Sequence, residues 1–205
     1  MKTIPDIDSR TRTASGFSLV ELLVVVGIMA VLFLIAAPVV NSLMDSNNLA
    51  RAGQSLADQV NLGRQTSSSR NRAVELRLIK VSDPNKKKGY TAMQLWMTDA
   101  TGVSKQLDRA VMLPTGVAVA ETKSLSKGLE LMTSGTMPAD AAVGAGQAYA
   151  AFQIRPNGMV LPSQPMKDFF LTVVSIHVAD ATAYPDNYAM VQVNPLTATP
   201  LVYRP

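Results

Sequence analysis

The chain has 205 residues, a formal net charge of +4 and no cysteine. The lack of cysteine excludes disulfides, thiolate metal sites and cysteine nucleophiles. The longest basic run is the triplet Lys86-Lys87-Lys88, which stands within a turn sequence, so we expect a solvated surface there rather than a nucleic-acid interface.

An apolar run of 19 residues, at positions 22–40, dominates the N-terminal part of the chain. As a helix with a rise of 1.5 Å per residue, a run of that length would be about 30 Å long, the thickness of a bilayer core. A polar leader at residues 1–16, with the basic residues Lys2, Arg10 and Arg12, precedes it. The sequence therefore predicts a cytoplasmic leader followed by a transmembrane or assembly helix at residues 17–40.

Two simpler interpretations of this N-terminus are an ordinary secretory signal and a plain signal anchor. The apolar run is longer than the usual core of a signal peptide, and the small residue Gly16 precedes the run instead of following it. Neither interpretation explains Glu21, whose unpaired burial in a bilayer would cost on the order of 3 kcal/mol. An acidic residue in such a place usually has a partner and a function.

The sequence Gly16-Phe17-Ser18-Leu19-Val20-Glu21, with the apolar run behind it, resembles the prepilin-type signal of type IV pilins and type II secretion pseudopilins. The resemblance implies that a prepilin peptidase cuts between Gly16 and Phe17 and that the new amine of Phe17 is methylated. It also implies that Glu21 pairs with the amine of a neighbouring subunit and sets the register of assembly, because an unpaired charge is unfavourable at low dielectric.

The same resemblance implies a location. The protein would be a single-pass protein of the inner membrane, with its N-terminus in the cytoplasm and its globular domain in the periplasm. After processing it would be incorporated into a filament.

Pro38 lies near the end of the apolar run. Inside a helix, proline removes one backbone hydrogen bond and favours a kink. Two interpretations stay open. The pilin resemblance implies a hinge at which the helix melts locally on assembly, whereas the simpler interpretation is a proline at the membrane boundary.

Residues 41–72 are predicted to continue the helix as an amphipathic extension. Apolar or small residues recur there at spacings of three and four, which places them on one face. This stripe consists of Leu49, Ala52, Leu56, Val60 and Gly63. Because strand patterns begin directly afterwards, we expect the stripe to pack on a sheet.

Residues 73–205 carry strand patterns, which predict an antiparallel β domain and, with the long N-terminal helix, an α+β fold of pilin-like type. Residues 74–81 alternate apolar and charged side chains, the pattern of a half-buried strand. Further strands are predicted at residues 90–98, 111–119, 129–132, 148–155, 159–161, 169–178, 188–194 and 200–203. The small and polar residues 134–146 predict a flexible surface loop.

Three stretches of this domain resemble the H-type minor pseudopilins of type II secretion and the related FimT-like minor pilins. They are the passage from helix to strand at residues 70–76, the turn at residues 152–158 and the closing hairpin at residues 190–204. The C-terminal Tyr203-Arg204-Pro205 and residues 180–185 also resemble the Verru_Chthon cassette protein D group of pilin-like proteins.

Nothing in the sequence indicates catalysis. His177, the only histidine, is predicted to lie near the end of a strand, where a histidine is usually structural. No G-x-S-x-G sequence, phosphate-binding loop or cluster with metal-ligand spacing is present. We therefore expect no enzyme activity, no cofactor and no metal, and we expect Trp96 and the methionines to fill the core.

The predicted function is that of a minor pilin or pseudopilin subunit of a type IV pilus or a type II secretion pseudopilus. Its partners would be a prepilin peptidase, other pilins or pseudopilins, and the inner membrane. The alternative is a DNA-binding minor pilin of an uptake system, with Lys86, Lys87, Lys88 and Arg204 as candidate contacts. Because the net charge is small and phosphate-driven binding needs many cations, we do not expect nucleic acid as a partner.

Overall fold

The computed structural model describes residues 18–81, 89–99, 101–161 and 169–205, without the side chains of residues 34–43. The chain divides into two compact units, Met1–Ser42 and Leu43–Pro205. One helix, α1 (Leu19–Arg70), begins in the first unit and continues in the second. The predicted fold class, an N-terminal helix packed on antiparallel sheet, is confirmed.

In the first unit, α1 presents apolar side chains on all of its sides. Every large apolar residue from Leu19 to Phe33 is exposed, with exposed fractions between 41% for Val25 and 79% for Leu19. Over the residues described, no helix combines the length and the apolarity that a bilayer crossing requires. The transmembrane span at residues 17–40 stays a prediction.

In the second unit, eleven strands of the described residues form two antiparallel sheets. The strands are β1 Val74–Ile79, β2 Ala92–Thr98, β3 Ser104–Gln106, β4 Val111–Met112, β5 Val117–Val119, β6 Thr133–Thr136, β7 Ala148–Ile154, β8 Val160–Leu161, β9 Phe170–Ser175, β10 Ala189–Val193 and β11 Pro200–Tyr203. The larger sheet has the order β3-β2-β1-β7-β6, with β4 on β2 and β8 on β7, and the smaller sheet has the order β11-β10-β9-β5. An isolated backbone bridge between Tyr90 and Val119 reaches from the residues before β2 to the smaller sheet.

The core of the second unit lies between α1 and the inner faces of both sheets. The predicted stripe on α1 is confirmed, because its apolar side chains are at most 2% exposed. Two glycines allow the close approach. A Cβ on Gly53 would lie 3.3 Å from Ala189, and one on Gly63 would lie 3.1 Å from Ile154. The main cluster draws on the helix and on strands of both sheets.

Two predictions for residues 129–146 are wrong. Residues 129–132 do not form a strand, because Lys127–Glu130 is a 3-10 turn in which Gly128 lies against the backbone of β9. Residues 134–146 are not simply a surface loop, because they begin in β6, which pairs with β7. Met137 follows at 2% exposure and packs with Ile79 and Trp96. The strand β3 had no alternating pattern that could predict it.

The half-buried strand predicted at residues 74–81 is instead covered on both faces. Arg77 is 5% exposed, and its guanidinium lies 4.2 Å from the ring centre of Trp96 and 4.4 Å from that of Tyr149. Glu75 accepts a hydrogen bond from Arg77 Nε at 2.8 Å. A planar cation between two aromatic rings, with a carboxylate beside it, is satisfied without water, so the charge can be buried.

The predicted closing hairpin is confirmed, with Met190 paired to Tyr203 between β10 and β11. The turn at residues 152–158 joins β7 to β8, and Gly158 supplies its positive φ of 83°. His177 is exposed and lies in a 3-10 turn, Ile176–Val178, that follows β9, and not in a strand as predicted. Pairing of β9 ends at Ser175, where the chain leaves the sheet.

Candidate filament-assembly site at the N-terminus

The first turn of α1 holds the predicted assembly residue. Gly16 and Phe17, the predicted cleavage and methylation residues, lie outside the described residues. Glu21 is described and lies in the first turn of α1. The carboxylate is thus at the helix N-terminus, where the partial positive charge of the unpaired N–H groups favours an anion.

Ser18 and Glu21 close the start of the helix. The Ser18 backbone N–H donates to Glu21 Oε2 at 3.4 Å, and the Leu22 N–H donates to the Ser18 carbonyl at 3.1 Å. A Ser-x-x-Glu pattern in which the glutamate reaches back to the first N–H is a capping box. The sequence analysis did not predict this capping role, although the Ser18-x-x-Glu21 pattern alone could have indicated it.

The surroundings of Glu21 are apolar. From Ser18 to Phe33, Glu21 is the single charged residue, and all of these side chains are exposed. Within the described part of the chain, its carboxylate has the Ser18 backbone N–H as a hydrogen-bond partner and no cation nearby. The group is therefore placed to accept a further hydrogen bond or an ion pair from a cation that another molecule brings to this apolar surface.

Pro38 falls within α1, whose backbone is helical from Leu19 to Arg70. Its side chain belongs to the stretch that the structure does not describe. The hinge and the boundary interpretations of Pro38 therefore both stay predictions.

The residues of the DNA-binding alternative are not assembled into a site among the described residues. Lys86, Lys87 and Lys88 lie outside them. The Arg204 guanidinium donates to Ser46 Oγ and so ties the C-terminus to α1. Arg204 has a structural contact that accounts for it.

Two ion pairs on the β domain are structural contacts, because each charge has its partner within the chain. Lys80 Nζ lies 2.7 Å from Glu121 Oε2, which also accepts from the Gly89 N–H at 3.3 Å. Burial raises the pKa of the neighbouring Tyr90, partly offset by the charge of Lys80. Asp99 accepts from the Thr101 hydroxyl and lies 3.1 Å from Lys105 Nζ, and these contacts hold its pKa well below the usual range.

Metal binding has no assembled site in the parts of the chain that the structure describes. No three His, Cys, Asp or Glu side chains come together there in a group that could hold an ion.

The first turn has a capped start and a lone carboxylate, and the helix after it has a uniformly apolar surface to Phe33. Residues 11–37 match the family model of the prokaryotic N-terminal methylation motif. This match spans Gly16, Phe17 and Glu21 and confirms the resemblance to the type IV pilin and type II pseudopilin superfamily. The H-type subgroup and the Verru_Chthon cassette protein D group stay predictions.

Two solved structures are similar to this chain. One is the type IV minor pilin FimU of Pseudomonas aeruginosa, with a TM-score of 0.44 and 12% identity over 78% of this chain and 89% of that one. The other is the minor pseudopilin EpsH from the type 2 secretion system of Vibrio cholerae, with a TM-score of 0.40 and 8% identity over 77% of this chain and 96% of that one. Neither likeness carries an argument about function. No curated protein matches the chain.

Proposed function

We propose that this chain is a minor pilin or pseudopilin subunit that a prepilin peptidase cuts between Gly16 and Phe17 and that then assembles into a filament through its N-terminal helix. The observation that carries the proposal is the methylation motif at residues 11–37, with Glu21 as the one charge in an exposed apolar helix. The chain acts as a structural subunit and not as an enzyme.

The proposal assigns a task to each segment. Residues 1–16 are a cytoplasmic leader that is removed, and residues 17–40 hold the protein in the inner membrane and later in the filament. Residues 41–72 extend the helix onto the periplasmic domain, residues 73–205. Pro38 allows the helix to bend when it passes from the inner membrane into the filament.

Glu21 pairs with the methylated amine of Phe17 in a neighbouring subunit. The apolar side chains around Glu21 exclude water once helices pack together, so an unpaired carboxylate there would be strongly unfavourable. A cationic amine at hydrogen-bond distance removes that cost. In a subunit that is displaced along the helix axis, the carboxylate and the amine are too far apart to pair. The pair therefore selects one register.

The processing step is tested by intact-mass measurement of the protein from cells with and without a prepilin peptidase. We expect a mature chain that begins at Phe17 and carries one added methyl group, and the full-length chain without the peptidase. A mature N-terminus at any other residue contradicts the proposal.

The pairing step is tested by Glu21→Ala, with Asp45→Ala as the matched control. Asp45 is also an exposed acid on α1, but it lies in the polar part of the helix. We expect Glu21→Ala to stay in the membrane fraction and to lose at least about tenfold in the sheared filament fraction, because an unpaired buried charge costs more than about 1.4 kcal/mol. Equal incorporation of both variants would remove the pairing mechanism.

A further inference from the structure

The end of α1 and the turn between β7 and β8 meet at one corner of the second unit, and together they carry four arginines. Arg64, Arg70 and Arg72 come from the end of the helix and the residues after it, and Arg155 comes from the turn between β7 and β8. We call these four residues the arginine corner.

A fully buried serine holds the corner together. Ser67 Oγ donates to the Arg64 carbonyl at 2.8 Å and lies 3.3 Å from the Arg155 carbonyl, and the Ser67 carbonyl accepts from the Arg72 N–H at 3.1 Å. Asn71, with a φ of 48°, turns the chain out of the helix at this point. The backbones of Arg64, Arg72 and Arg155 are thus fixed within hydrogen-bond distance of one residue.

The corner has no acidic counterpart in the described chain. The ion pairs found there join Arg77 to Glu75, Lys80 to Glu121 and Lys105 to Asp99, and none includes a residue of the corner. The Nε of Arg64 is buried and has no hydrogen-bond acceptor. A buried donor without an acceptor is rare in native proteins, so a water molecule or a group of another molecule is expected to supply the acceptor.

The helix end explains only part of this charge. The C-terminus of a helix carries about half a negative charge, which favours basic residues such as Arg70 in the last turn. That partial charge does not balance four guanidinium groups. It also gives no reason for Arg155, which arrives on a different segment.

The chemistry of the corner favours a carboxylate-bearing partner. All four cations are arginines, whose planar fork binds carboxylates in bidentate fashion. No aromatic residue occurs at positions 64–73 or 155–159, so these two segments offer a nucleic-acid base no aromatic ring to stack on.

A second copy of this chain does not offer a matching surface among its described residues. Its exposed acids are dispersed along α1 and over separate parts of the β domain: Glu21, Asp45, Asp58, Asp108, Glu130, Asp140 and Asp186. A different protein with clustered acids therefore fits the corner better than the described surface of a second copy.

We propose that the arginine corner is a docking site for an acidic segment of another protein, one that presents clustered Asp or Glu side chains. If the chain is a filament subunit, as proposed above, the partner is a neighbouring subunit of another kind. The docking chemistry itself does not depend on processing or assembly, so it can be tested apart from them.

The test uses the full-length chain in an uncharged detergent and a fluorescent polyglutamate peptide, with binding followed by anisotropy at low salt. The corner variant is Arg64→Gln with Arg155→Gln, and the matched control is Arg51→Gln with Arg109→Gln, two exposed arginines on other elements. Both double variants lose the same formal charge. Trp96 emission verifies that each variant is folded.

We expect the corner variant to bind the peptide at least about tenfold more weakly than the wild type, and the control to bind within about twofold of it. Equal losses in both variants, or no binding by the wild type, overturn the proposal. If the corner variant does not fold, Arg70→Gln with Arg72→Gln replaces it under the same expectation.

A single-stranded oligonucleotide with the same number of charges serves as competitor. We expect it to displace the peptide less effectively than unlabelled polyglutamate. If it displaces the peptide more effectively, and the corner variant removes that effect, the site binds nucleic acid and the proposal is wrong. The mass of the processed N-terminus, which tests the filament function, is unaffected by either outcome.

Discussion

The two stretches of α1 differ in how their apolar side chains are covered. At residues 19–33 every large apolar side chain is at least 41% exposed, whereas the buried apolar side chains at residues 49–60 are at most 4% exposed. The first stretch is apolar on all sides, and the second carries one apolar stripe. A stripe can be covered by one layer of the same chain, but a helix that is apolar all round requires partners on every side.

The second stretch is part of the folded core, and in the proposed function the first stretch serves association. The sheets of the second unit already cover the stripe. No described residue covers the first stretch, and in the proposed function a bilayer or other helices cover it. Substitutions in the two stretches should therefore affect different measurements.

The largest difference is expected for leucine truncation. Leu56→Ala should lower the free energy of unfolding by about 2 to 5 kcal/mol, because Leu56 is fully buried and its removal leaves a cavity. Leu23→Ala, at 67% exposure, should change it by less than about 0.5 kcal/mol. Urea unfolding in an uncharged detergent, followed by Trp96 fluorescence, measures both. Similar losses would mean that the first stretch is also part of the folded core.

A smaller difference is expected between the glycines of the two stretches. A side chain on Gly63 would meet Ile154 at 3.1 Å and Leu95 at 3.2 Å, whereas Gly27 has nothing within 4 Å. Gly63→Leu should therefore cost about 1 to 3 kcal/mol through overpacking. Gly27→Leu should leave the unfolding midpoint unchanged and raise helix content slightly, since leucine is the better helix former. A loss of stability from Gly27→Leu would show a contact that the described residues do not contain.

The smallest difference concerns the two ends of α1. Ser67→Ala removes a buried hydroxyl that contacts two carbonyls, so the free energy of unfolding should fall by about 1 kcal/mol. Glu21→Ala removes the cap at the other end and should leave that free energy unchanged, while the Ser18 amide exchanges its hydrogen several times faster. Hydrogen exchange resolved by residue distinguishes the two effects. An unfolding midpoint that falls with Glu21→Ala would link the first turn to the core.

Features encoded by neighbouring residues could be predicted from the sequence. The stripe from Leu49 to Gly63 follows helical spacing, and the prepilin-type signal from Gly16 to Glu21 is contiguous. β1 pairs with β2 and β10 pairs with β11, in each case the next strand along the chain, so local alternation was sufficient to predict these pairs.

Features that depend on distant segments could not be predicted. The alternation of β1 predicts charged side chains in water, but residues 137–147 cover part of that face and the rings of Trp96 and Tyr149 enclose Arg77. The arginine corner depends in the same way on a turn that lies far along the chain from Ser67. The capping by Glu21 is different, because its pattern was local and was overlooked.

The bridge between Tyr90 and Val119 constrains the evolution of one position. Gly89, just before it, has a φ of 88°, and a Cβ there would lie 2.8 Å from the Val119 carbonyl oxygen and 2.9 Å from the Ala179 Cβ. Every other amino acid would have to adopt a disfavoured backbone and also push these atoms apart. Among descendants of this sequence that keep the bridge, the surface residues around it can drift, whereas codons for residues other than glycine at position 89 should be eliminated by selection.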